Sequence, residues 1–148
     1  MKILKLSQNP EYKDFTYSYL KSHRWDDENI DQIIKKVFLD TELYEYFIAV
    51  DDNKPIWMVL IHLYDYENTY KPWLWSLYVI KESRWKWVAW KLVKEGEKYV
   101  KDLWYHKIWL DTYQASKYYE RLEHNYTYYK DKYRKENKYV RVYFKELN

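Results

Sequence analysis

Arg84, Lys86 and Lys91 crowd into one short stretch, Arg84-Trp85-Lys86-Trp87-Val88-Ala89-Trp90-Lys91, between an apolar run and a long amphipathic segment. The run Leu74 to Ile80 (LWSLYVI) reads as a strand. After it, Val88, Ala89, Leu92, Val93, Gly96, Val100 and Leu103 recur at helical spacing and form the expected buried stripe of one helix. A strand that feeds a helix through a short turn leaves the first N–H groups of the helix without intrahelical acceptors, at the positive end of its dipole. Such a point suits an anion, most naturally a phosphate or pyrophosphate, and the three basic side chains add charge of the matching sign. A backbone that wraps phosphate ordinarily uses glycine, because a Cβ blocks close approach. Trp85, Trp87 and Trp90 stand there instead.

Length and composition narrow the setting. A chain of 148 residues is expected to form one domain, residues 1–148, with a sizeable core. A net charge of +3 is not that of a dedicated nucleic-acid binder, so no nucleic-acid partner is expected. With no cysteine there is no disulfide framework and no thiolate metal site. Met1-Lys2-Ile3-Leu4-Lys5 lacks a long apolar run and no segment reaches membrane-spanning length, which points to a cytoplasmic protein with no membrane partner. His23, His62, His106 and His124 show neither i, i+4 pairing nor a glutamate at ligand spacing, so no metal is expected. Tyr128-Tyr129-Lys130 through Lys138 mixes rings with charge in a way that can stack single-stranded nucleic acid. Asp131 and Glu136 among those charges favour a solvated hairpin instead.

The elements that must hold the basic turn follow in order. Lys2 to Leu6 alternates like an edge strand. Asn9-Pro10 opens a helix whose buried face is Tyr12, Phe15, Tyr19 and Leu20, ending near His23. Asp26 or Asp27 caps a second helix with Ile30, Ile33, Ile34, Val37 and Phe38 on one side. Tyr44 to Val50 and Pro55 to Tyr64 flank Asp51-Asp52-Asn53-Lys54, a good hairpin connection. A polar loop from Asp65 to Pro72 precedes the strand at Leu74. Lys107 to Asp111 reads as a strand buried on both faces, Ala115 to Leu122 as a short helix, and Tyr126 to Tyr129 with Tyr139 to Lys145 as a closing antiparallel pair. This order describes an α/β (α+β) domain: a mixed, mostly antiparallel sheet of six to seven strands flanked by about four helices.

SLYV, four residues, R-x-K-x-V-A-x-K-L, then LDT at 110–112 and A-S-K-Y-Y-E-R-L at 115–122, together resemble the GNAT superfamily of acyl-CoA N-acyltransferases. In that family a turn of the form Arg/Gln-x-x-Gly-x-Gly/Ala leads into a helix that holds the pyrophosphate of coenzyme A. Arg84 matches its opening residue, Trp87 stands at its glycine and Ala89 matches its last small residue. Ala115 and Tyr119 match the family's Ala-x-x-x-Tyr. The resemblance implies acetyl-CoA as co-substrate, with no metal, and transfer of its acetyl group to a primary amine of a small molecule or protein. Leu77, Tyr78 and Val79 would line the pantetheine arm, and Arg84, Trp85, Lys86, Trp87, Val88, Ala89 and Trp90 would form the pyrophosphate turn. Thr112 takes the place of a frequent asparagine near the cofactor, and Glu123-His124 replaces the usual Gly-Phe. Tyr119 would protonate the departing thiolate. Glu67, with Asp65 and Glu45 as the other choices, would take the proton of the amine; the default role of each is an ordinary surface charge. Family members often dimerise, so a homodimer is among the expected assemblies.

Nine Trp against one Gly is the anomaly, since average usage gives about 10 glycines in a chain this long. An AT-rich gene accounts for the twenty Tyr but not for tryptophan, whose codon is G-rich. Trp57, Trp85, Trp87, Trp90 and Trp104 fall where the family places glycine, and Trp104 follows a helix end that ordinarily takes one. Two accounts stand. Either the indoles are real and block the turn, leaving a non-catalytic binding or interaction module, or UGA codons read as glycine have been written as tryptophan. Trp73 and Trp109 sit where aromatics are tolerated, and Trp25 fits either account.

Overall fold

A computed structural model of the chain describes residues 1–22, 25–39, 43–63, 72–75, 86–112, 116–121, 124–134 and 138–148. Its strands are β1 (Lys2–Lys5), β2 (Tyr44–Asp51), β3 (Lys54–His62), β4 (Trp73–Trp75), β5 (Lys107–Thr112), β6 (Thr127–Arg134) and β7 (Lys138–Glu146). Its helices are α1 (Lys13–Ser22), α2 (Asp27–Leu39), α3 (Lys86–Asp102) and α4 (Ser116–Glu120). The seven strands form one sheet in the order β1-β2-β3-β4-β5-β7-β6, antiparallel throughout except for β4 beside β5. This is the mixed, mostly antiparallel sheet with four helices that the residue pattern predicts. The Asp65–Lys71 loop and the remainder of the strand, residues 76–80, lie outside the described residues.

The β2–β3 hairpin is the centre. Asp52 and Asn53 both have positive φ (51° and 62°), the type I′ geometry whose twist matches paired strands, and Asx side chains tolerate it. Pro55, with no N–H to donate, pairs with Val50 where the register shifts. Alternation then splits the strands between two cores. Phe47, Ala49, Trp57, Val59 and Ile61 join Leu74, Ile108, Leu110 and the α3 residues Val88, Leu92, Val93 and Val100. Tyr46, Ile48, Val50, Met58 and Leu60 join Leu20, Ile30, Ile33 and Val37 of α1 and α2. Helices therefore cover opposite faces of the hairpin.

The two expected caps differ: the Asn9 side chain makes no cap bond and its amide donates instead to the Lys5 carbonyl at 2.8 Å. Asn9-Pro10 opens a single 3₁₀ turn, Pro10–Tyr12, and the α-helix begins only at Lys13. Thr16 and Leu20 are the fully buried residues of α1, whereas Tyr12, Phe15 and Tyr19 are half-buried; the Thr16 hydroxyl is satisfied by the Tyr12 carbonyl at 2.9 Å. Asp26 is the α2 cap, its Oδ1 accepting the Asn29 N–H at 2.8 Å. Leu6 leaves the edge strand to open another 3₁₀ turn, Leu6–Gln8, and is buried under α1 and α2.

Two expectations fail near the far end of α3. Leu103 is not on the buried stripe: α3 stops at Asp102 and Leu103 is exposed in the turn beyond it. β5 is not buried on both faces. Ile108 and Leu110 enter the α3 core while Trp109 points to the other side, half-exposed among Trp73, Tyr129 and Phe144. Among the described residues, those packed with α1 and α2 include none from β5, β6 or β7, and on that side Trp73, Trp109, Tyr129 and Phe144 pack ring against ring.

The α3 end itself is a Schellman turn. Tyr105 N–H donates to the Val100 carbonyl (3.3 Å) and Trp104 N–H to the Lys101 carbonyl (2.9 Å), with Trp104 in the left-handed region at φ 72°. An L-residue bearing a Cβ is strained there by roughly 1–2 kcal/mol.

Gly96, in the middle of α3, lets the helix press onto the sheet. A Cβ there would stand 2.9 Å from Ile61 Cδ1 and 3.9 Å from Leu74 Cδ1. Gly96→Val should therefore lower stability by about 1–3 kcal/mol through overpacking, despite valine's better helix propensity. A urea melt with an unchanged or higher midpoint would contradict that packing.

Candidate active site

Of the expected anion turn, the described part is the first turn of α3. Val88 and Ala89 are buried against the sheet, which fixes the helix and so the direction of its leading N–H groups. Trp87 and Trp90 lie outward, 48% and 39% exposed, with Lys91 Nζ 5.2 Å from the Trp87 ring centre and Lys94 Nζ 6.0 Å from that of Trp90. The first turn contains no acidic residue, so nothing there opposes the positive dipole end. Lys86 begins the helix. Leu77, Tyr78, Val79, Arg84, Trp85 and the carboxylates Asp65 and Glu67 lie outside the described residues.

Tyr119 sits on α4 and is only 4% exposed. It belongs to the same buried cluster as Val88, Leu92 and Val93 of α3. Rings surround it: Tyr118 at 5.1 Å, Tyr126 at 5.5 Å and His124 at 6.2 Å between centroids. Burial, followed by the neighbouring Tyr118 and Asp111, pushes its phenol far above the ordinary range. At neutral pH the phenol is therefore protonated, and the same burial makes it a weaker acid than an exposed tyrosine. Thr112 closes β5, half-buried and paired with Arg141 of β7.

Two buried carboxylates shape the surroundings, and their partners come from distant parts of the chain. Glu97 of α3 accepts from Lys145 Nζ at 2.8 Å, Lys94 Nζ at 3.2 Å and the Tyr126 hydroxyl at 3.2 Å. Tyr126 in turn gives its N–H to the Tyr119 carbonyl at 3.2 Å and packs its ring on Tyr119. The helix of the candidate proton donor is thus tied to α3 and β7 through Tyr126. Neither Glu97 nor Tyr126 carries a local sequence signal for this role.

Glu45 is the other. It is 2% exposed, and its carboxylate accepts the Ser7 N–H and the Tyr46 N–H, each at 3.1 Å, and the Ser7 hydroxyl. With these oxygens engaged it clasps the segment after β1 onto β2, a structural role that competes with service as a general base. Burial raises its pKa more than the Ser7 hydrogen bonds and Lys5 lower it. A carboxyl raised in the folded state contributes stability below the unfolded value, about 4.3, and loses it as pH rises through the folded value. Wild type should therefore lose stability relative to Glu45→Gln as pH goes from 4 to 7, measured by paired urea melts. A constant difference, or one of opposite slope, would exclude the desolvated carboxylate. Among the described residues no group of three or more His, Asp or Glu is placed to hold a metal, and no helix is long and apolar enough to cross a membrane.

The described residues place the first turn of α3 and the buried Tyr119 of α4 in one apolar cluster. Residues 7–124 match the acetyltransferase (GNAT) family, and the chain belongs to it. Among solved structures, an aminoglycoside 6′-acetyltransferase of type Ii superposes with a TM-score of 0.80 at 18% identity, covering 100% of this chain and 98% of its own. An aminoglycoside 6′-N-acetyltransferase complexed with coenzyme A gives 0.78 at 16%, covering 100% and 98%. Spermidine N-acetyltransferase from Vibrio cholerae gives 0.74 at 15%, covering 99% and 95%. At such identities the likeness is one of fold. No curated protein sequence matches the chain significantly.

Proposed function

We propose that this chain transfers an acetyl group from acetyl-CoA to a primary amine of a small molecule or protein. The family match across residues 7–124 carries the reading. The first turn of α3, which carries no acidic residue, and the Tyr119 hydroxyl buried in the same cluster support it. Backbone N–H groups at Lys86–Trp90, with Arg84, would grip the pyrophosphate, and Thr112 would line the cofactor. Leu77 to Val79 would hold the pantetheine arm and polarise the thioester carbonyl through a backbone N–H. The neutral amine nitrogen attacks that carbonyl, the C–N bond forms and the C–S bond breaks. Glu67, or Asp65 beside it, takes the ammonium proton of the tetrahedral intermediate, and the Tyr119 hydroxyl protonates the leaving sulfur. Polyamines and aminoglycosides head the acceptor panel, since the structural neighbours include enzymes named for them. The catalytic site is expected in the cytoplasm, within a monomer or a homodimer.

Calorimetry with acetyl-CoA, followed by turnover on an amine panel, tests the reading. Tyr119→Phe should cut kcat by about 100-fold or more while acetyl-CoA affinity stays near wild type; an unchanged rate removes Tyr119 from the chemistry. A second reading is favoured by the outward indoles of Trp87 and Trp90, which can cover the leading N–H groups of α3. On that reading the chain is a non-catalytic interaction module and acetyl-CoA produces no heat.

A further inference from the structure

We infer that residue 104 is glycine in the protein its own cells make, specified by a UGA codon that those cells read as glycine. The position is the C′ residue of the α3 Schellman turn, where φ is 72° and the two closing hydrogen bonds are in place. Four described non-glycine residues have positive φ, and the other three are Asp52, Asn53 and Asn125, types whose short polar side chains tolerate that region. Trp104 has no such accommodation, and at 86% exposure its indole gains nothing by burial. A backbone that selects glycine, holding the bulkiest side chain on a bare surface, signals the wrong residue rather than a packed anchor.

Other tryptophans sort in the same direction. Trp87 and Trp90 are exposed on the first turn of α3, with lysine ammonium groups over their rings. Trp57 is buried in β3 with its indole N–H lacking an acceptor among the described residues, although its ring meets Tyr19. Trp73 shares that orphaned N–H, but it and Trp109 pack with each other, and Trp109 with Phe144 and Tyr129, as a true aromatic ladder would. Positions 87 and 90 thus join 104 on exposure, 57 joins them on its place in the family pattern alone, and 73 and 109 remain tryptophan. Nine Trp and one Gly in the whole chain then become five of each, nearer to average usage. Resting on the acetyltransferase reading, the same decoding strips the indoles from the mouth of α3 and opens its N–H groups to pyrophosphate.

The gene and the native protein decide it. UGA at codon 104, and glycine in the tryptic peptide spanning residues 102–107 by mass spectrometry of protein from the source cells, are the expected results. UGG there, or tryptophan in that peptide, overturns the inference. Independently, Trp104→Gly in the chain as written should raise Tm by about 2–4 °C, with Trp104→Ala gaining less because alanine keeps its Cβ. A Tm that falls with glycine overturns the strain argument. Acetyl-CoA titration of the chain carrying glycine at 57, 85, 87, 90 and 104 bears on the transferase reading alone, so the two ideas fail separately.

Discussion

The close seating of α3 on the central hairpin is the contact from which the rest of the site takes its geometry. Because Gly96 has no side chain, the helix axis approaches Ile61 and Leu74, and Val88, Leu92, Val93 and Val100 fill the remaining space. The helix cannot rotate without exposing that stripe, so the direction of its first turn is set by apolar burial. The turn itself takes part in that packing through Val88 and Ala89, and it carries no acidic residue to neutralise the dipole end.

Glu97 reaches out from the same helix to Lys145 of β7 and to Tyr126, and through Tyr126 to the helix of Tyr119. One carboxylate thus links α3 to β7 and, through Tyr126, to α4. Isolated, it would be a costly buried charge; with three donors around it, it is satisfied. Glu45 performs a parallel task at the opposite end of β2, fastening the N-terminal segment through Ser7.

Much of this was legible in the amino-acid order. The α3 and α2 stripes, the Asp-Asn hairpin and the order of the strands all rest on local periodicity and turn chemistry and stand in the structure, although the strand expected to end at Tyr129 runs on to Arg134. The family was legible where a motif is local, in the pattern from Arg84 to Leu92 and in Ala115-Ser-Lys-Tyr-Tyr119. What periodicity could not supply was anything joined across sequence. Glu97 and Lys145 are 48 residues apart and Glu45 and Ser7 are 38 apart, so neither pair has a spacing to read. Leu103 and Trp109 were misjudged for a different reason. Each continues an apolar pattern, but the left-handed Trp104 breaks the helix just after Asp102, and Trp109 lies half-exposed among other rings.

The sheet ends in two strands paired on one side only, β1 and β6. β1 is four residues long, and β6 carries Lys130, Asp131, Lys132 and Arg134 along with a bulge between Tyr128 and Lys130. Adding a foreign strand to β6 would have to accommodate that kink and desolvate those charged side chains. Shortness protects one margin, and charge with curvature protects the other. Any self-association of this molecule is thereby steered away from edge-to-edge polymerisation, a safeguard that a sheet so rich in tyrosine and tryptophan would otherwise lack.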